Sequence, residues 1–179
     1  MKNTPPAALH KTLPGLEQKT KITMKDTQKN QRQKQPSTPL RLSPHFTLAE
    51  FVASGIALRH GIDNTPQPEH IENLRALCLN VLEPLRRRFG VLRITSGYRC
   101  PQVNAIAGGA PDSQHLRGEA ADIHTGSKEA SEKIYEFARN YLTYDQLLLE
   151  HIGKTGTRWL HVSYRRDGRQ RRKAQRMEL

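Results

Sequence analysis

The chain has 179 residues, 35% of them apolar, and its 29 Lys and Arg against 17 Asp and Glu give a formal charge of +12. That length admits one domain with a real core and is short for two. A mean hydropathy of -0.74 implies that part of it stays outside any packed core. No run approaches the roughly 18–20 apolar residues of a membrane-spanning helix, and two cysteines without CxxC spacing argue against a disulfide scaffold or a thiolate metal site.

The charge is unevenly placed. Residues 1–40 hold eight basic and two acidic side chains and residues 165–179 hold seven and two, which leaves +1 for the middle of the chain. The pI near 10.1 therefore describes the tails rather than the domain between them. Cys78 and Cys100 read as free thiols in a reducing compartment, with a single bridge as the alternative. The N-terminus lacks the 7–15-residue apolar core of a signal peptide, so the chain as written is expected in the cytoplasm.

Taken in order, residues 1–42 read as a disordered basic leader rich in Lys, Gln, Thr and Pro, with Met24 as an alternative start. The ordered domain is expected over 43–164. Thr47 and Glu50 have capping-box spacing before a short helix, and Gly55 and Gly61 punctuate a loop after it. Pro68 opens the strongest helix, with Ile71, Leu74, Leu77, Val81, Leu85 and Phe89 at helical spacing. Pro84 should kink it or split off its last turn, and Gly90 can close it in a left-handed conformation. Residues 91–95 alternate as a strand, and Pro101 can open a short helix that Gly108-Gly109 ends. Ala120 to His124 reads as a buried strand, Ser127 caps a helix through Tyr141, and residues 145–150 and 158–164 flank a Gly153–Gly156 turn as a hairpin. Residues 165–179 are expected to fray as a basic tail. The fold class is α+β, one small domain with a mostly antiparallel sheet flanked by helices and with disordered basic tails.

The chemistry centres on Ser113-Gln114-His115-Leu116-Arg117-Gly118-Glu119-Ala120-Ala121-Asp122, where small residues surround an imidazole and a carboxylate. With His161 downstream, two imidazoles and one carboxylate suit a catalytic Zn²⁺ that keeps a fourth position open for water. Spacing alone is weak evidence, because a histidine followed by an aspartate is common.

The pattern Ser113-x-His115-x-x-Gly118-x-Ala120-x-Asp122, with Ser96-Gly97-Tyr98-Arg99 upstream and Trp159-Leu160-His161-Val162-Ser163 downstream, resembles the zinc D-alanyl-D-alanine carboxypeptidase family and its related peptidoglycan peptidases. The likeness is closest to the small single-domain members and covers about residues 43–164. It implies one Zn²⁺ per chain held by His115, Asp122 and His161, and a small α+β domain with an antiparallel sheet. It also implies that Arg99 grips a substrate carboxylate, a task that suits a guanidinium; an exposed arginine at a strand end is the other reading. Ser113 either hydrogen-bonds substrate or orients its loop.

Many relatives carry a carboxylate three residues before the last histidine, where this chain has Arg158. Glu150 is the expected general base instead, because the small members that this chain resembles carry a Glu on the preceding strand; with Glu150 and His161 opposed across the hairpin, both would point to one face. A surface carboxylate is the alternative, with His151 another candidate base and His124 a possible partner of the site. The implied function is hydrolysis of peptide bonds next to D-amino acids in peptidoglycan stem peptides, by a monomer that reaches the wall through lysis or non-standard export. A non-catalytic module that binds wall peptides is the second reading, and Arg158 is the feature that favours it. Nucleic acid is not indicated, since the core lacks a recognisable binding motif.

Overall fold

The computed structural model describes Met1 and residues 39–153 and 155–178. The leader expected over 1–42 therefore falls, except at its end, outside the described residues. At that end order begins earlier than Ser43: Arg41 bridges Thr47, and Leu42 N–H donates to Phe46 O at 2.9 Å. Leu42 and Phe46 are both buried, and Arg75 Nη1 donates to the carbonyls of Arg41 and Leu42.

Helix α1 (Leu48–Val52) starts where Glu50 accepts the Thr47 N–H at 2.8 Å, the glutamate half of a capping box. The segment read as a loop between Gly55 and Gly61 is instead a second helix, α2 (Gly55–His60). Ser54 Oγ caps its Ala57 N–H, and Gly61 ends it at φ 61°, so the two glycines border a helix that the Ser54 signal could have revealed.

The long apolar stripe forms α3 (Pro68–Leu77) and α4 (Glu83–Phe89), joined by a π-helical turn over Cys78–Leu82. Pro84 explains the junction. It has no N–H and its ring crowds the preceding turn, and the wider turn lets Glu83 N–H reach Cys78 O while Pro84 sits in the first turn of α4. Leu74, Leu77, Cys78, Val81, Leu82 and Leu85 are fully buried along this line. Gly90 closes it with φ 86° and ψ −151°, a glycine conformation outside the left-handed helical region that was expected. Cys78 and Cys100 are free and buried.

Five strands follow: β1 (Arg93–Ser96), β2 (Ala120–His124), β3 (Gln146–Ile152), β4 (Thr157–Ser163) and β5 (Lys173–Glu178). Helix α5 (Pro101–Ile106) and a 3₁₀ turn (Gln114–Arg117) lie between β1 and β2, and α6 (Lys128–Tyr141) lies between β2 and β3. The sheet order is β1-β2-β4-β3-β5, antiparallel except where β5 runs parallel to β3. The fold is α+β. Alternation divides the sheet: Ala121, Ile123, Leu147, Leu149, Leu160 and Val162 are buried in the core, and Asp122, Leu148, Glu150, Trp159 and His161 share the other face. Among the described residues no helix is long and apolar enough to cross a membrane.

Strand β5 corrects the expectation that the chain frays after Tyr164. Its Arg176 has partners in the fold: it bonds Glu132 and Glu136 on α6, and its guanidinium lies 4.3 Å from the Tyr135 ring centre. Backbone pairing from Gln146↔Lys173 to His151↔Glu178 completes the attachment. Basic composition alone could not show that an acidic helix face was waiting for it.

Candidate active site

The site is built from the loop after β1. Asn64, buried, donates through Nδ2 to the carbonyls of Val52 and Tyr98 and accepts the Cys100 N–H through Oδ1 at 2.8 Å. The bonds to Tyr98 and Cys100 bracket Arg99, and the bond to Val52 ties them to the end of α1. Tyr98 N–H donates to Phe51 O, and Gly97 passes so close to Phe51 that an added Cβ would lie 2.7 Å from its backbone. That is why glycine precedes Tyr98: α1 packs directly on this loop.

Loop and turn then fix His115. Gly97 O lies 2.6 Å from His115 Nδ1, and a carbonyl only accepts, so Nδ1 carries the proton and Nε2 presents its lone pair to the cleft. Ser113 Oγ accepts the His115 N–H at 3.4 Å, a cap on the 3₁₀ turn. Gly118 ends that turn at φ 68°, with the position of a Cβ only 2.4 Å from His70 O. Gly118→Ala should therefore cost at least about 2 kcal/mol, combining the left-handed backbone with a clash against a fixed carbonyl. Chemical unfolding of the metal-free protein measures it; a change within about 0.5 kcal/mol would contradict the steric account.

Asp122 and His161 face each other across β2 and β4. The donor atoms form a triangle: His115 Nε2 to His161 Nδ1 is 3.3 Å, His115 Nε2 to Asp122 Oδ1 is 3.3 Å, and His161 Nδ1 to Asp122 Oδ1 is 2.9 Å. Zinc bonds of about 2.0–2.1 Å in a tetrahedron imply ligand edges of about 3.3 Å, so the triangle has the size of one tetrahedral face. Among the described residues it is the one group of three or more potential metal donors of this kind. Burial by itself would raise the Asp122 carboxyl, but the two imidazoles outweigh it and hold the group far below the usual carboxylate range.

Arg99 lies within this arrangement. Its Nη2 donates to Asp122 Oδ2 at 2.7 Å and its Nε to Ser96 Oγ at 2.8 Å. The guanidinium thus fixes the second oxygen of Asp122 and leaves Oδ1 to the histidines. Arg99 N–H also donates to His115 O, so loop and turn are tied twice.

Glu150 lies opposite Trp159, and His161 lies opposite Leu148. The direct pairing of Glu150 with His161 does not occur, but the two residues are on one face, diagonal neighbours across the hairpin. Both line a cleft of about 870 Å³, together with Arg99, Ser113, His115 and Asp122. Burial first and the Asp122 charge second raise the Glu150 carboxyl above its ordinary value, against the pull of His161, the Trp159 side chain and Arg99.

The other candidates lie elsewhere. Arg158 is three residues from His161, an odd step along a strand, so it faces the opposite side of the sheet, lining a separate hollow with Glu132 and Arg176. Its charge does not enter the cleft, and the feature that favoured a binding module loses its force. His151 shares that far side and bonds Glu178 at 2.8 Å. His124 shares the sheet face of Asp122, opposite Arg93 and Trp159, but it is exposed at the end of β2 and does not line the cleft.

Sequence reasoning missed Asn64, Gln114, Arg165 and Arg171. The last three line the cleft, with Arg165 and Arg171 coming from the segment read as a tail. Asn64 stands in a turn-like Asp63-Asn64-Thr65-Pro66 run, and nothing in that run announces a buried side chain.

A profile of the family described as Peptidase M15 matches residues 44–163. No curated protein matches. The matched stretch contains the donor triangle, Arg99 and Glu150 and spans about two thirds of the sequence. On that extent of agreement the chain belongs to the Peptidase M15 family and is a metallopeptidase.

Proposed function

We propose that the protein is a zinc-dependent peptidase that hydrolyses peptide bonds next to D-amino acids in peptidoglycan stem peptides, as a carboxypeptidase or an endopeptidase. The observation that carries this reading is the donor triangle with a half-buried glutamate in the same cleft. His115 Nε2, Asp122 Oδ1 and His161 Nδ1 would hold the ion. Zinc bound there supplies a Lewis acid for the scissile carbonyl and lowers the pKa of water to about 7.

The protein's own residues do the rest. Glu150 takes the proton of the attacking water and returns it to the leaving amine. Arg99 steadies Asp122 through one nitrogen, and its guanidinium borders the cleft where it can meet a substrate carboxylate. Ser113 caps the turn of His115 and lies on the cleft wall, within reach of a bound peptide.

The test is metal analysis together with digestion of purified muropeptides, with His115→Ala and Glu150→Ala beside the parent. About one zinc per chain and cleavage lost in both variants is the expected result. Bound zinc without cleavage of any muropeptide would favour the wall-peptide binding module instead.

A further inference from the structure

A chain of polar contacts reaches the donor triangle from the far end of the sequence. Asp145, immediately before β3, is completely buried. Its carboxylate accepts the backbone N–H of Arg171 at 2.9 Å and both Nε and Nη2 of the same residue, with Nε 2.9 Å from Oδ2. Arg171 Nη2 also donates to Gln114 Oε1 at 3.2 Å. Gln114 is itself buried, and its Nε2 donates to Glu119 Oε2 at 3.3 Å. The Gln114 carbonyl accepts the N–H groups of Gly118 and Glu119 and so closes the 3₁₀ turn. The next residue is His115.

We propose that Arg171, acting through Gln114, is a positioning residue for the metal site, holding the His115 turn at the separation from Asp122 and His161 that a divalent ion requires. The inference rests on the metal reading given above. Its physical basis is the shape of a guanidinium: one planar fork serves the Asp145 carboxylate and still directs a donor to Gln114, which a lysine ammonium cannot do with the same geometry. The short bond from Gly97 orients the imidazole ring, but the backbone of the turn has its own anchor in Gln114.

A bland alternative is that Arg171 merely fastens β5 to the sheet. Arg176 provides the comparison. It holds the same strand by ion pairs to Glu132 and Glu136 and makes no hydrogen bond to the turn.

Cobalt(II) binding to the full chain separates the two. Affinity is read by chelator competition and ligand geometry by the visible absorption bands, with thermal unfolding in chelator as a check on folding. Gln114→Met and Arg171→Lys should bind cobalt about 10–100-fold more weakly and shift the bands, as loss of an outer partner of a ligand does. Arg176→Met should keep the parent affinity and spectrum. Gln114→Met leaves the Asp145–Arg171 pair intact, so it decides the matter even if the lysine variant fails to fold. Parent affinity and spectrum in Gln114→Met, or an equal loss in Arg176→Met, would overturn the proposal. A parent chain that binds no cobalt would overturn the metal reading itself, and this inference with it.

Discussion

Replacing Glu150 by glutamine is expected to lower kcat by about 10²–10⁴-fold, the usual contribution of a positioned acid–base group, while zinc still binds. Glutamine keeps the shape and cannot take a proton. The pH profile gives an independent check. A base must be ionised, and burial with the neighbouring Asp122 raises this carboxyl, so activity should climb with pH along a limb that reports Glu150. Bound zinc would draw that limb downward by its charge. In Glu150→Gln the limb should disappear from whatever activity remains. A variant within about threefold of parent kcat, with the limb intact, would place the base elsewhere.

The same shift has a consequence for stability, and its sign is opposite to that of a salt-bridged carboxylate. Between the ordinary glutamate value and the raised one, the folded state binds more protons than the unfolded state. Stability therefore falls as pH rises through that window, and the loss is complete above the raised value. At neutral pH the metal-free Glu150→Gln protein should be at least as stable as the parent. Thermal unfolding in chelator checks this, and a lower midpoint would contradict it. Catalytic groups often sit where they cost stability.

Asp122→Ala should have the largest effect on metal content. One oxygen of this residue lies 2.9 and 3.3 Å from the two histidine donors, and the other accepts from Arg99. Removing it deletes a ligand, the charge that offsets the cation, and the partner of a guanidinium that would then face the site alone. Zinc affinity should fall by more than the about 10–100-fold that follows loss of an outer partner, and muropeptide cleavage should fall to background. Chelator competition and product analysis measure the two separately. Stoichiometric zinc with parent activity in Asp122→Ala would remove Asp122 from the ligand set.

Much of the site was legible in the linear chain because its residues belong to short motifs whose internal geometry is local. His115 and Asp122 are joined by one turn and the start of a strand, and Gly118 lies between them because its backbone and its contact with His70 exclude a side chain. The shared face of Glu150 and His161 follows from the two-residue period of a hairpin, although the pairing proved to be Glu150 with Trp159. Arg158 looked like a defect when only its distance in sequence from His161 was considered. The strand period places it on the far face, where it lines a different hollow.

The α+β class, the apolar stripe of α3 and α4, the hairpin, and the residue types that the donor triangle brings together could all be read from the linear chain. These rest on periodicity and on motifs only a few residues long, which neighbouring side chains decide. Tertiary structure alone decided that Asn64 brackets Arg99, that Arg99 bonds Asp122, and that the C-terminal segment becomes β5 with Arg171 beside Gln114. Such contacts join residues 23 to 57 positions apart. The Arg99–Asp122 and Arg171–Asp145 contacts exist because the fold brings a buried carboxylate and a guanidinium together, where the cost of leaving that charge unpaired selects the partner.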